Sequence, residues 1–345
     1  HIVGDSWSMG VLIADLQAHY LRSIGAADGP APGVRSPDAI DVAAWQRSPQ
    51  WQAMASGQLA YWTQTLAGAQ THASIADPAR RSVERSFDGR VVTRQLDASL
   101  ESAIVGFVRQ RRTTRFSLYL AAYALLLAQE SGAGDIVIGT DVANRTRPEM
   151  EGMIGFFVNL LALRVRLQPG EQVDAYLARV QALAIDGHSN QDVPFDQVVA
   201  ALDLPRDRRF APLFQHKLVL QNAPVPPLQL PGVQVLAWPH ARESAELDMV
   251  VTGWSNDAGA GLRIEYNRLL FDADAGERWL DKLCLLLQRL VEQTGVPVDA
   301  LLAELHAADQ ARREQDERLA AGRIGMVKRR PISGKVAAQA DRSEA

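Results

Sequence analysis

His1-Ile2-Val3-Gly4-Asp5-Ser6-Trp7-Ser8-Met9-Gly10 opens the chain with an imidazole, a carboxylate and two hydroxyls gathered around a glycine. Ile2 and Val3 favour extended backbone, and Gly4 admits a positive φ. The apolar residues Met9, Leu12, Ile13, Leu16 and Tyr20 then recur at helical spacing. The stretch reads as strand end, turn and helix, with the helix over residues 8–24. Such a junction holds polar side chains at the edge of a rigid scaffold, where a general base can be fixed relative to a substrate.

Several chemistries share those letters, and each needs partners elsewhere. Gly4-Asp5-Ser6 looks like the nucleophile block of the GDSL hydrolases, but that family also requires Asp-x-x-His near its C-terminus. No histidine of this chain has an aspartate three positions earlier. Gly-x-Ser-x-Gly is absent here, so a strained nucleophile elbow is unsupported. His1 and Asp5 have no further ligand cluster nearby, which makes metal the weakest reading. The bland alternative is a terminal histidine beside an aspartate favoured at a helix start by the dipole. On these ten residues alone, that alternative prevails.

Working outward, further blocks appear in order. They are Tyr61-Trp62 with Leu66-Ala-Gly68, Ile138-Gly-Thr-Asp-Val-Ala-Asn-Arg145, Ile154-Gly-Phe-Phe-Val-Asn159, Gln191-Asp-Val-Pro-Phe195, Arg206-Asp207 with Pro212-Leu-Phe-Gln215, and Leu262-Arg-Ile-Glu-Tyr266 with Leu270-Phe-Asp272. Together with the first ten residues, they resemble the condensation domains of nonribosomal peptide synthetases. His1 to Gly10 then resembles the second half of that family's His-His-x-x-x-Asp-Gly motif, with Ser6 where the family has glycine.

Length and composition set independent bounds. The 345 residues can bury a sizeable core and build two lobes. Hydrophobic residues at 47% and charged ones at 22% lie in the ordinary globular range. A net charge of −4 gives no reason to expect nucleic acid. The single cysteine, Cys284, falls in an apolar helical run and reads as a buried, inert thiol. No intramolecular disulfide can form, which fits a reducing cytoplasm. The apolar, uncharged run Phe116 to Gln129 is shorter than the about 20 residues that span a bilayer, so it reads as a core helix and no membrane role is expected.

Periodicity and turn residues place the remaining elements. A Gly/Pro/Ala-rich loop over 25–37 precedes a helical region over 41–66. A strand over 90–96 is followed by helices over 100–110 and 116–129, strands over 136–140 and 161–167, and a helix from Val173. Strands are then expected over 214–220, 233–238, 247–252 and 262–266, and a helix over 275–293. Residues after about 318 have too few large apolar groups to pack and read as a disordered tail, with the basic stretch Lys328 to Lys335 inside it.

Strands alternating with helices imply an α/β sandwich. The resemblance implies more: a two-lobed fold like chloramphenicol acetyltransferase, with a tunnel between the lobes and the N-terminal lobe incomplete here. Residues 1–85 would finish that lobe, 86–305 would form the C-terminal lobe, and 306–345 a charged helix and tail. It also implies amide formation between a donor acyl thioester and an acceptor aminoacyl thioester. The expected partners are upstream and downstream peptidyl carrier proteins, which bring 4'-phosphopantetheine, and an adenylation domain; no cofactor is bound by this chain.

His1 would assist loss of the acceptor amine's proton, since a neutral imidazole with pKa near about 6.5 can accept it. Asp5 matches the motif's aspartate, whose implied role is an ion pair that shapes the site. Ser6 would be structural there, its hydroxyl capping the helix beginning near Ser8, and Trp7, Ser8 and Asn159 are candidate substrate contacts. Arg145, Arg206 and His188, the last on an expected loop, receive no catalytic role. The alternatives are a catalytically silent docking domain of the same fold, favoured by Ser6, and an epimerization domain, disfavoured by Gln191 to Phe195.

Overall fold

The protein is known from a computed structural model that describes residues 3–26, 37–205, 207–221, 227–236, 244–256 and 259–327, apart from the side chains of 316, 317 and 319–327. Residues 1–301 form one compact unit and 302–345 a second. The expected lobe boundary near residue 85 falls inside the first.

Helix α1 spans Ser6–Ser23, two residues earlier than its apolar spacing predicts, because Asp5 rather than Ser6 is the cap: its side chain accepts from the Ser8 amide. The helical region expected over 41–66 is two helices. Helix α2 (Ala39–Trp45) starts at a capping box formed by Asp38 and Asp41. Helix α3 (Pro49–Leu66) starts afresh at Ser48, with Pro49 in the first helical position, where its missing N–H is no loss.

Strand β1 (Gly89–Gln95) leads into α4 (Ala98–Arg111) and α5 (Arg115–Ser131). Helix α5 is the apolar run expected as a core helix, and every residue from Ser117 to Ala128 is buried. Strands β2 (Asp135–Val142) and β3 (Asn159–Arg166), helices α6 (Val173–Ser189) and α7 (Phe195–Ala201), and strands β4 (His216–Gln221), β5 (Met249–Asn256) and β6 (Gly259–Asn267) follow, then helix α8 (Ala275–Glu292). Two sequence expectations are corrected here. Residues 233–236 are not a strand, and 237–238 lie outside the described residues. Helix α9 runs over Val298–Val327, so residues 318–327 are helical, consistent with their Ala, Leu and Arg content. The basic stretch from Lys328 lies outside the described residues.

The six strands make one mixed sheet in the order β1-β6-β5-β4-β2-β3. β5 pairs antiparallel with β6 and parallel with β4, while β2 pairs parallel with β4 and antiparallel with β3. Helix α5 packs against β2 and β4 and is flanked by α6 and α8. Tyr176 of α6 is fully buried and donates its hydroxyl to the Ala121 carbonyl of α5 at 2.9 Å, satisfying the one polar atom that this contact takes from water. On β2, Gly139 lies under the Phe214 ring: a Cβ there would stand 2.2 Å from the ring. The antiparallel β2–β3 pair leaves residues 143–158 as a long connection, and this connection builds the site.

A buried polar group ties the α3–β1 connection to the sheet. Arg81 donates to Asp248 at 3.1 Å through Nη1 and pairs with the same carboxylate through Nη2, while Ser74 also donates to it. His216 lies beside this pair, 3% exposed, with neither ring nitrogen partnered among the described residues. Burial pushes its pKa down to about 4, helped by Arg81 and opposed by Asp248.

Two measurements follow from this packing. Gly139→Ala should lower stability by about 1–3 kcal/mol, because Phe214 must leave its rotamer, read as a drop in the melting temperature. His216 binds a proton in the unfolded chain below about 6.5 but in the folded chain only below about 4, so its contribution is full above pH 6.5 and is lost as pH falls towards 4. Urea unfolding at pH 7 and pH 4.5 should show that loss, up to about 3 kcal/mol, and His216→Leu should reduce it.

Candidate active site

The site begins at the buried Asp5 carboxylate. Asp5 Oδ1 accepts from the Ser8 amide and hydroxyl, each at 2.8 Å, and from Arg145 Nη2 at 3.1 Å. Asp5 Oδ2 accepts from the Phe157 amide at 3.1 Å. Burial raises the Asp5 pKa, but the bonds from Ser8 and Phe157 and the Arg145 charge outweigh it and hold the carboxyl below its ordinary value. Asp5 is therefore an anion at neutral pH with its lone pairs engaged, which suits it to positioning and not to proton transfer.

Arg145 is the ion-pair partner that the sequence left unnamed, and both side chains are 1% exposed. Its Nη1 donates to the carbonyls of Met150 and, at 2.9 Å, Met153. Its guanidinium lies 4.6 Å from the Phe157 ring centroid and 5.7 Å from that of Trp7. Arg145 thus folds its own connection while pairing with Asp5, which a planar fork of donors can do and a lysine cannot.

Ser8 completes the junction. Its hydroxyl lies 2.8 Å from both Asp5 Oδ1 and the Gly155 carbonyl, and it accepts from the Gly155 amide at 3.1 Å and from Arg145 Nη2 at 3.0 Å. Trp7 donates its indole N–H to the Glu151 carbonyl at 2.8 Å. Asp5, Trp7 and Ser8 therefore stitch the start of α1 to residues 145–157, some 140 positions away in sequence.

Several sequence expectations change in this light. Ser8 was expected at the substrate; it is 2% exposed and wholly engaged by protein groups. Asn159, also expected at the substrate, is buried. It donates to the Gln191 and Val193 carbonyls at 2.8 Å each and accepts from the Phe195 amide at 3.1 Å, so it clamps the Gln191–Phe195 turn onto β3. Ser6 is exposed in the first turn of α1 and is not among the described residues with positive φ, so it carries no left-handed strain. His188 lies not on a loop but in the last turn of α6, edge-on to Phe116.

Cys284 is half-buried rather than buried, and burial pushes its thiol pKa up. His1 and Arg206 lie outside the described residues. Among those described, no three His, Cys, Asp or Glu side chains gather to hold a metal, and no helix is long and apolar enough to cross a membrane.

Comparison with known proteins identifies the family. The condensation domain family matches residues 1–311. The chain is 34% identical over 310 residues to malpinin synthetase from Mortierella alpina, covering 90% of this chain and 4% of that protein. It is 32% identical over 318 residues to isonitrile lipopeptide synthase from Mycobacterium tuberculosis, covering 87% of this chain and 12% of that one. The chain thus spans a small fraction of the length of these relatives. Among solved structures, the X-domain from teicoplanin biosynthesis superposes with a TM-score of 0.75 at 26% identity, covering 86% of this chain and 69% of that one. A four-domain nonribosomal peptide synthetase, holo-AB3403, gives 0.72 at 22% identity over 86% of this chain and 23% of its own length, a likeness of fold. With the motif junction, the mixed sheet and a family match over nine-tenths of its length, this chain belongs to the condensation domain family.

Proposed function

We propose that this domain forms an amide bond between two carrier-borne groups, a donor acyl thioester and an acceptor aminoacyl thioester, during nonribosomal peptide synthesis. The observation that carries the reading is the ionised, fully engaged Asp5, which locks the start of α1 to the β2–β3 connection. A carboxylate so placed fixes the first turn of α1, four residues from His1 in sequence. The phosphopantetheine arms arrive as part of the substrates on upstream and downstream carrier proteins, with an adenylation domain loading them. The setting is the cytoplasm of the producing cell. Residues 1–85 are assigned to an N-terminal lobe and 86–305 to a C-terminal lobe.

In this mechanism the acceptor amine attacks the thioester carbon, the C–N bond forms, and the C–S bond breaks to release the donor arm as a thiol. The imidazole of His1 takes the proton that the amine loses. Holding both arms end to end makes the encounter effectively unimolecular, and that positioning is the larger share of the work. Asp5 and Arg145 are positioning residues. No acyl-enzyme forms, because Ser8 is engaged and Ser6 has no base.

A second reading has its own support: one structural neighbour is the X-domain in complex with OxyB, so docking of a partner enzyme without condensation is the alternative.

Amide formation from two loaded carriers by the full-length protein separates the two. His1→Ala should lower the rate about 10²-fold or more, and the wild-type rate should rise with pH through about 6.5 as the imidazole loses its proton. Asp5→Asn leaves Arg145 buried with a weakened partner; it should cost about 3–5 kcal/mol of stability in urea unfolding and lower the rate. Ser6→Gly should change the rate only modestly, since Ser6 carries no backbone strain. Full activity in His1→Ala would favour the docking reading. Intact-mass spectrometry with donor alone should reveal no acyl adduct.

A further inference from the structure

We propose that the far end of β3 carries a binding site for a diphosphate group, held by Arg166 and Arg179. The site stands independently of amide formation. Strand alternation builds it: Leu163 and Val165 of β3 are fully buried, so Arg164 and Arg166 point to the other face of the sheet. Arg166 lies seven residues along β3 from Asn159, about 23 Å at the ordinary strand rise, which separates this site from the junction at Asp5.

Arg164 and Arg166 meet Arg179 of α6 around a cavity of about 300 Å³ that Gln64, Thr65 and Gln168 complete. All of these side chains are polar and three are cationic. The nearby carboxylates are already claimed. Asp135 accepts from Arg164 Nε at 2.8 Å and from its Nη2 at 2.6 Å. The other Arg164 donors go to the carbonyls of Thr65, Ala67 and Gly68 at the end of α3, at 3.1, 2.7 and 3.2 Å. All five of its N–H groups are thus used, and Arg164 covers the helix-end carbonyls that would otherwise repel an anion. Glu171 accepts from Arg179 Nε at 2.9 Å and from Nη2 at 2.6 Å. Asp299 is engaged by the Gly170 amide at 2.9 Å and does not line the cavity.

Two guanidinium edges remain. Arg166 is 58% exposed at its side chain, and its Nε stands 3.8 Å from Asp135 Oδ2, beyond hydrogen-bond reach. Arg179 Nη1 makes no hydrogen bond among the described residues. Three arginines against Asp135 and Glu171 leave one net positive charge. Phosphoryl oxygens match the planar fork of a guanidinium, and two free edges match two linked phosphoryl groups. The cavity has the size of a small-molecule site, wider than a single phosphate fills.

The test reads Arg166 directly in the full-length protein. Exposed arginines are modified with phenylglyoxal, and the extent at each is quantified by peptide mass spectrometry in pyrophosphate or in sodium chloride of equal ionic strength. Saturating pyrophosphate should slow modification of Arg166 about tenfold and leave Arg109, exposed on α4, unchanged. Arg179→Lys, which keeps a charge for Glu171 but loses the fork, should raise the pyrophosphate concentration for half-protection about tenfold. Its melting temperature reports the fold; if this variant does not fold, Gln168→Leu takes its place and should also raise that concentration. ADP protecting Arg166 while adenosine does not would assign the diphosphate to a nucleotide, and protection by pyrophosphate without ADP would assign it to the free ion. No protection of Arg166, equal protection of Arg109, an unchanged half-protection concentration in the variant, or equal protection by inorganic phosphate would overturn the proposal.

Discussion

The site depends on one buried ion pair. Asp5 and Arg145 lie 3.1 Å apart with their side chains almost wholly out of water, and neither charge would be tolerated there alone. Taking both from solvent costs several kcal/mol, so the pair persists because every other polar atom around it contributes. Asp5 is held by two amides and a hydroxyl, and Arg145 by two carbonyls and an aromatic face. One exception stands out: Arg145 Nε is buried without a partner among the described groups. A network so nearly complete is brittle, since loss of one member strands charge in a low-dielectric setting. Brittleness of that kind restricts the junction to a single geometry.

How much of this was legible in the sequence differs by length scale. Helix α5 was legible because twelve consecutive buried positions leave an unmistakable apolar run. The helix at α6 was equally open to reading, since it rests on local periodicity. The start of α1 was misplaced because apolar spacing marks the packed face of a helix, while its first turn is set by the polar cap at Asp5. The strand expected over 233–238 failed over 233–236, where alternation alone was the signal and no strand pairs with them among the described residues. Helix α9 shows the opposite case: residues 318–327, with few large apolar groups, still take helical backbone, consistent with their Ala, Leu and Arg content.

The candidate site was half legible. Asp5 stood out through its motif, but its partner did not, because Arg145 is separated from it by 140 positions and nothing local distinguishes it from any solvated arginine. The signal that could have found it is topological. Arg145 lies three residues beyond the end of β2 and Phe157 two before the start of β3, so antiparallel pairing brings both ends of the connection together. The partners of Asn159 were hidden for the same reason. A buried amide at a strand start serves whichever backbone lies across from it, and here that is the Gln191–Phe195 turn.

The manner in which α1 is attached bears on how the site keeps its geometry. Only Ser8 and Gly10 of this helix are buried, while Met9, Leu12 and Leu16 are about half exposed. Apolar packing is tolerant of small sliding motions because it has little directional preference. Hydrogen bonds to a carboxylate and a guanidinium fork weaken steeply with misalignment. Since α1 joins the β2–β3 connection through Asp5, Trp7 and Ser8 and not through its apolar stripe, its first turn is fixed in angle as well as position.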